Sequence, residues 1–182
     1  MTIQLWINAI MKPRETFTAE KNKGTFFRAA VNLVIAAILS AILSYLTRTY
    51  FPEALLFYDV SISPIDPMTI LTTHGISLVL LFIVIGLYYL IAKAMGGRGT
   101  YTSLLYLVSL YAVPIAALGA IPFIGILFFL YSIYLEYLAI KESQALSTGR
   151  TIGVILIPLV IIGVIVAILV ASGIPFWIIG YQ

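Results

Sequence analysis

Five long apolar stretches dominate this chain, at residues 26–47, 69–92, 101–118, 122–140 and 151–179. A helix needs about 20 mostly apolar residues to cross a hydrocarbon core about 30 Å thick, and each stretch is near or above that length. A bilayer core offers no water to backbone N–H and C=O groups, so segments of this kind cross it as helices. Composition agrees: the chain is 62% hydrophobic and 9% charged over 182 residues, where a soluble domain carries about 25% charged residues. Too few polar side chains remain to cover a water-exposed surface. Soluble globular, disordered, collagenous and disulfide-rich secreted classes are excluded. The expected fold is all-α: a polytopic helical membrane protein of five transmembrane helices plus a short N-terminal amphipathic interfacial helix. A single integral membrane domain spans residues 1–182. The third and fourth stretches meet at Gly119-Ala120-Ile121-Pro122, an uncharged tight turn. They are expected to form a helical hairpin, with one kinked re-entrant pair as the alternative.

The few charges orient the bundle. Lys12, Arg14, Lys21, Lys23 and Arg28 precede or open the first span, Lys93 and Arg98 lie between the second and third, and Lys141 and Arg150 lie between the fourth and fifth. With five spans these nine basic residues share one side, against Arg48 alone on the other. The long outer loop, 49–68, carries Glu53, Asp59 and Asp66 and no Lys. By the positive-inside rule the N-terminus is cytoplasmic and the C-terminus outside, in a multi-pass protein of the cell membrane. The charges from Lys12 to Arg28 also argue against a cleavable signal peptide.

The first turns form a separate element. Ile3, Trp6, Ile7 and Ile10 recur at helical spacing, opposite Gln4 and Asn8, and Pro13 ends the pattern. A short amphipathic helix lying in the inner interface is expected, with Trp6, Pro13 and Arg14 as its anchoring residues near anionic headgroups. The alternative is a helix packed under the bundle.

Polar groups inside the bilayer are costly, and each needs a reason. They include Asn32, His74, Ser77, Ser109, Tyr111, Ser132 and Glu136, the last the sole acidic residue within a span. Glu136 is expected to pair with Lys141, Arg98 or Arg150 near the inner interface; the alternative is a proton or cation ligand in a pathway. His74, near the outer end of its span, is expected to be a hydrogen-bonded interface residue rather than a ligand or pH sensor. By depth, His74 and Glu136 fall toward opposite faces. Pro114 and Pro158 each remove a backbone hydrogen bond within a span. Small residues recur every fourth position (Ala36, Ser40, Ser44; Ala112, Ala116, Ala120; Gly163, Ala167, Ala171), which marks protein-facing sides. Tyr45, Tyr50, Phe51, Phe57, Tyr58, Trp177 and Tyr181 compose an outer aromatic belt.

Catalytic constellations are missing. The chain has no Cys and a single His, which excludes thiolate chemistry and multi-histidine metal sites. No H-E-x-x-H, G-x-S-x-G or phosphate loop occurs. Asp59 and Asp66 both fall in the outer loop, so an intramembrane aspartyl pair cannot form. Gly96-Gly97-Arg98-Gly99 lacks the strand-to-helix context of a dinucleotide site and is expected to be a flexible inner turn. No catalytic, cofactor-binding or metal-ligating residue is assigned, and no cofactor is expected.

The segment Gly96-Gly97-Arg98-Gly99-Thr100-Tyr101-Thr102-Ser103-Leu104-Leu105, followed by Ser109-Leu110-Tyr111-Ala112-Val113-Pro114, resembles the Yip (Ypt/Rab-interacting protein) membrane domain. In that family a Gly-Gly-basic-Gly turn leads into a helix that ends in a Tyr-x-x-Pro-like segment. Pro13-Arg14-Glu15-Thr16-Phe17, after a Trp-bearing helix, looks like the corresponding segment of prokaryotic members, and Leu146-Ser147-Thr148-Gly149-Arg150 also fits. The resemblance covers nearly the whole chain. It implies five spans with the N-terminus inside, and a non-enzymatic protein acting through partners or lipid. Eukaryotic members carry a long cytosolic N-terminal region that helps engage Rab-type GTPases; this sequence departs from them there, and GTPase binding is not carried over.

Three functions compete on these grounds. The first is a non-catalytic scaffold, adaptor or membrane-organising protein whose partners are membrane lipid and other membrane proteins, a second copy of itself among them. The second is a small transporter, channel or lipid-moving protein with a cavity near Glu136, Tyr111 and Pro114. The third, an intramembrane enzyme, would need Glu136 beside His74 or Tyr111 in a water-filled cavity. Nucleic acid is not an expected partner.

Overall fold

The structure, a computed structural model, describes residues 3–51, 66–119, 121 and 124–171. Seven helices and no strand occur among them: α1 (Ile3–Met11), α2 (Pro13–Glu20), α3 (Phe26–Tyr50), α4 (Pro67–Ala94), α5 (Tyr101–Gly119), α6 (Ile124–Gln144) and α7 (Thr148–Ala171). Helices α3 to α6 are each long and apolar enough to cross a membrane. Helix α7 has 24 residues, and the part of the fifth expected span beyond Ala171 lies outside the described residues. The protein is therefore an all-helical, multi-span membrane protein.

Helix α5 is the centre of the bundle. Every residue from Ser103 to Tyr111 is buried, so the helix has no lipid-facing side over that length. Its hydroxyls explain the position. A hydroxyl in hydrocarbon must find a protein partner. Ser109 Oγ donates to the Tyr106 carbonyl at 2.7 Å and accepts from Asn32 Nδ2 of α3 at 3.1 Å. Tyr101 donates to the Phe82 carbonyl of α4 at 3.2 Å. Ser103 Oγ donates to the Lys21 carbonyl at 2.5 Å, and the Tyr106 hydroxyl donates to Glu20 at 3.2 Å. Helix α4 is the opposite case: Val79, Ile83 and Leu90 are all exposed, as suits a surface solvated by acyl chains.

Pro13 does more than stop a helix. Pro lacks an N–H and fits the first helical turn, where that donor is spare. It opens α2, a second short helix that the hydrophobic pattern did not announce. The Thr18 hydroxyl and the Lys21 ammonium reach Glu142 of α6, at 3.2 and 3.5 Å, and Tyr131 of α6 donates to the Ile10 carbonyl of α1 at 2.7 Å. The N-terminal hairpin is thus clamped across α5 and α6. This changes the role expected of Trp6. Its ring packs against the core and its Nε1 is buried without a partner. The residues that α1 turns outward are Ile3, Gln4, Ile7 and Met11.

The glycine turn between α4 and α5 is held, not flexible. Gly97 N donates to the Ala92 carbonyl at 2.8 Å, Arg98 N donates to the Gln144 carbonyl at 2.9 Å, and Gln144 Nε2 donates to the Thr100 carbonyl at 3.2 Å. Gly96 takes φ +90°, which L side chains rarely adopt. A Cβ on Gly99 would collide with the Ser143 backbone carbonyl. These contacts bring the 95–100 turn, the end of α6 and the N-terminal hairpin to one end of the bundle, together with most of the basic residues. At the opposite end, a Cβ on Gly125 would strike the Gly119 carbonyl, which accounts for the tight passage from α5 to α6.

Gly99→Ala is expected to destabilise the protein by about 1–3 kcal/mol, because backbone must move against backbone. Gly75→Ala meets open space and should leave the thermal midpoint in detergent within a degree or two. Equal midpoints for the two variants would contradict the close packing of the turn. Asn32→Ala, which removes the α3–α5 hydrogen bond, should cost about 1–2 kcal/mol in the same measurement.

Candidate functional site

A cavity of about 360 Å³ opens between α3, α4, α5 and α6. Its walls are largely aliphatic, and six polar side chains border it: Ser40, His74, Ser77, Tyr111, Ser132 and Glu136. The small-residue stripes create it. Ala36 and Ser40 on α3 face the same hollow as Ala112 and Ala116 on α5. Helices α3 and α5 pack closely against each other, and their small side chains leave room beside that contact. On α7, Gly163 and Ala167 are exposed on the single chain. Ala120 lies outside the described residues.

Tyr111 anchors one wall. Its ring stands 6.1 Å from that of Phe17, a fully buried residue of α2, so the N-terminal hairpin sets the ring's position. Glu136 lies across from it on α6, and both Tyr111 and Tyr88 lie within electrostatic reach of the carboxylate. The expected pairing of Glu136 with Lys141, Arg98 or Arg150 does not occur. Lys141 donates instead to Tyr137 at 3.2 Å and to Thr148 at 3.1 Å. The ion pairs among the described residues are Lys21–Glu142 and Lys23–Glu20. Glu136 sits one turn too deep and faces the cavity rather than the basic end.

His74 joins the same cavity, although depth along the helices placed it toward the opposite face from Glu136. The hollow runs far enough along the helices to reach both. His74 Nδ1 is 2.8 Å from the Ile70 carbonyl. A carbonyl only accepts, so this contact assigns a proton to Nδ1. Ser77 and Ser132 donate to carbonyls of their own helices, at 2.9 and 2.6 Å. The Glu136 carboxylate and the Tyr111 hydroxyl have no hydrogen-bond or ion-pair partner among the described residues.

The remaining candidates fall elsewhere. Pro114 does not line the cavity, but its missing N–H deprives the Leu110 carbonyl of a helical partner one turn below the lining residue Ile115. Asn32 lies beside the cavity residue Leu33 and ties α3 to α5 there. Its Oδ1 is buried without a partner. Arg98, Arg150, Pro13 and Arg14 belong to the basic end, away from the cavity. Of the expected aromatic belt, Tyr45, Tyr50 and Phe51 are exposed on the end of α3; Phe57, Tyr58, Trp177 and Tyr181 lie outside the described residues. Reading the sequence missed Ser40, Ser77 and Ser132 as members of one site. The signal that could have found them was the coincidence of small-residue stripes on two helices with an unpaired acid on a third.

Chemically, the site combines a long aliphatic wall with one carboxylate, one phenol and one imidazole. That set suits an amphiphile with an apolar body and a hydrogen-bond-donating or cationic end. Among the described residues no group of three or more His, Asp or Glu gathers to hold a metal ion.

The Yip1 domain family model matches residues 7–170. No curated protein and no solved structure shows significant similarity to the chain. The match includes the N-terminal hairpin almost entire, the glycine turn and all four walls of the cavity, and with it the chain belongs to the Yip1 domain family.

Proposed function

We propose that this Yip1-domain protein is a non-catalytic organiser of the membrane that works by holding lipid in the cavity between α3, α4, α5 and α6. The observation that carries the reading is the hollow itself: an aliphatic space of about 360 Å³ bordered by a carboxylate without an ion pair. Hydrocarbon can fill such a space, and a polar end can satisfy Glu136 and Tyr111, which water or lipid must otherwise serve. The non-catalytic part of the reading carries forward from the sequence, which has no recognised catalytic motif. The reading places the protein in the cell membrane with the N-terminus cytoplasmic and the C-terminus outside, following the distribution of its basic residues. The outward stripe of Ile3, Ile7 and Met11 on α1 then rests at the inner headgroup boundary. Other membrane proteins, or a second copy of this chain, are its neighbours there.

A second reading keeps the same cavity and makes it a route: a small transporter, channel or lipid-moving protein. What favours it is that the space around Glu136 is hollow, where a bundle acting purely as a scaffold would be packed.

Purified protein in proteoliposomes separates the two. Under the first reading, wild type retains co-purifying lipid, the double variant Ala112→Leu with Ser132→Leu loses it, and neither moves lipid or ions above protein-free vesicles. If wild type scrambles fluorescent lipid and Glu136→Gln abolishes the movement, the second reading replaces the first. Glu136→Gln should keep or slightly raise the thermal midpoint, because a charge without an ion pair leaves the membrane interior.

Topology is testable because the chain has no Cys. In intact cells, Ser63→Cys should label with an impermeant maleimide, and Ser147→Cys only after permeabilisation. The reverse pattern overturns the orientation.

A further inference from the structure

A second hollow lies at the basic end of the bundle, separate from the intramembrane cavity. It measures about 290 Å³ and is bordered by Lys21, Asn22, Arg98, Thr100, Ser103 and Ser143. We propose that it binds a phosphate group, as carried by an anionic lipid headgroup or by a small soluble phosphate.

Three observations support this. The first is charge. A cation stands on each wall, Lys21 from the segment after α2 and Arg98 from the glycine turn, and no carboxylate lines the space. Lys21 meets Glu142 only at 3.5 Å, and an ammonium has three donors, so it can serve a second acceptor. The Arg98 guanidinium has no ion-pair partner among the described residues. Its planar fork of donors matches two phosphate oxygens at once.

The second is rigidity. The Arg98 backbone is fixed: its N–H donates to the Gln144 carbonyl at 2.9 Å. On the facing wall the Lys21 carbonyl is held by Ser103 at 2.5 Å, and Gly24 is pressed so closely on the Tyr106 ring that no side chain would fit. Walls this well held need no backbone rearrangement to close on an anion; only the two side chains have to be immobilised.

The third is depth. Thr100 immediately precedes the first residue of α5, and Ser143 lies at the last turn of α6. The pocket therefore opens where spanning helices emerge, at the level of lipid phosphates, and basic pockets between such helices are suited to anionic headgroups. Asn22 and Thr100 add neutral hydrogen-bonding groups.

The test uses the full chain in detergent, delipidated. Native mass spectrometry reads the occupancy of added phosphatidylglycerol against phosphatidylcholine, and 31P NMR titration reads inorganic phosphate. Wild type is expected to show one saturable phosphatidylglycerol or inorganic phosphate site, with phosphatidylcholine at least tenfold weaker. Arg98→Gln should weaken that site about tenfold, and Asn22→Asp should abolish it by placing a carboxylate in the pocket. Both side chains are exposed, so the fold should survive, which the thermal midpoint checks. Arg150→Gln removes an equal charge from the same end outside the pocket and should leave binding within twofold.

Binding of phosphatidylglycerol that inorganic phosphate does not displace identifies the lipid as the source. Binding of inorganic phosphate alone, lost in Arg98→Gln, identifies a soluble phosphate. The proposal is overturned if neither probe saturates, or if Arg150→Gln weakens binding as much as Arg98→Gln, which would reduce the effect to bulk charge.

Discussion

A polar side chain placed in hydrocarbon has to find its partner within the protein, and helix α5 is where that demand concentrates. Ser103, Tyr106 and Ser109 lie within two turns of one another, and each finds a partner through contacts with a carbonyl, a carboxylate or an amide. To supply those partners, α3 must lie along one side and the 20–24 segment must cross another. The position of the remaining helices follows. Helix α4, whose 78–87 stretch carries no polar side chain, turns Val79 and Ile83 to lipid. An all-aliphatic bundle would have no reason to choose one helix as its centre, since lipid solvates Leu as well as protein does.

The spans were legible because apolar length is a one-dimensional property. The expected boundaries of the first four agree with the observed helices to within a few residues, and the basic residues that punctuate them gather as the alternation required. What failed depended on a third dimension. Helix α2 was hidden because Pro13 signals both the end of one helix and the start of another, and only the following contacts choose between them. Trp6 has the composition of an interfacial anchor, but the helix it belongs to packs on α5, more than 80 residues away in sequence. Glu136 looked close enough to Lys141 to pair with it; five positions along a helix place the two on different sides.

The cavity shows the same limit in a sharper form. A stripe of small residues permits close approach but does not compel it. Ala36 and Ser40 on α3 and Ala112 and Ala116 on α5 border a hollow even though the two helices pack closely against each other. The composition of the stripes was visible; the hydrogen bond beside them, between residues 77 positions apart, was not.

The clamp formed by the N-terminal hairpin has a consequence for how the protein is made. Ile10 and Thr18 leave the ribosome well before their partners Tyr131 and Glu142, which come 121 and 124 positions later. At about 5–20 residues per second, synthesis leaves roughly ten seconds between the two. During that interval α1 and α2 lack the contacts that α6 supplies. Where a soluble protein would risk aggregation, this chain has a bilayer beside it: the amphipathic helix can wait on the membrane surface, held by its own apolar face, until the last hairpin arrives and draws Trp6 inward. The interfacial character written in the first ten residues then belongs to assembly as much as to the finished fold.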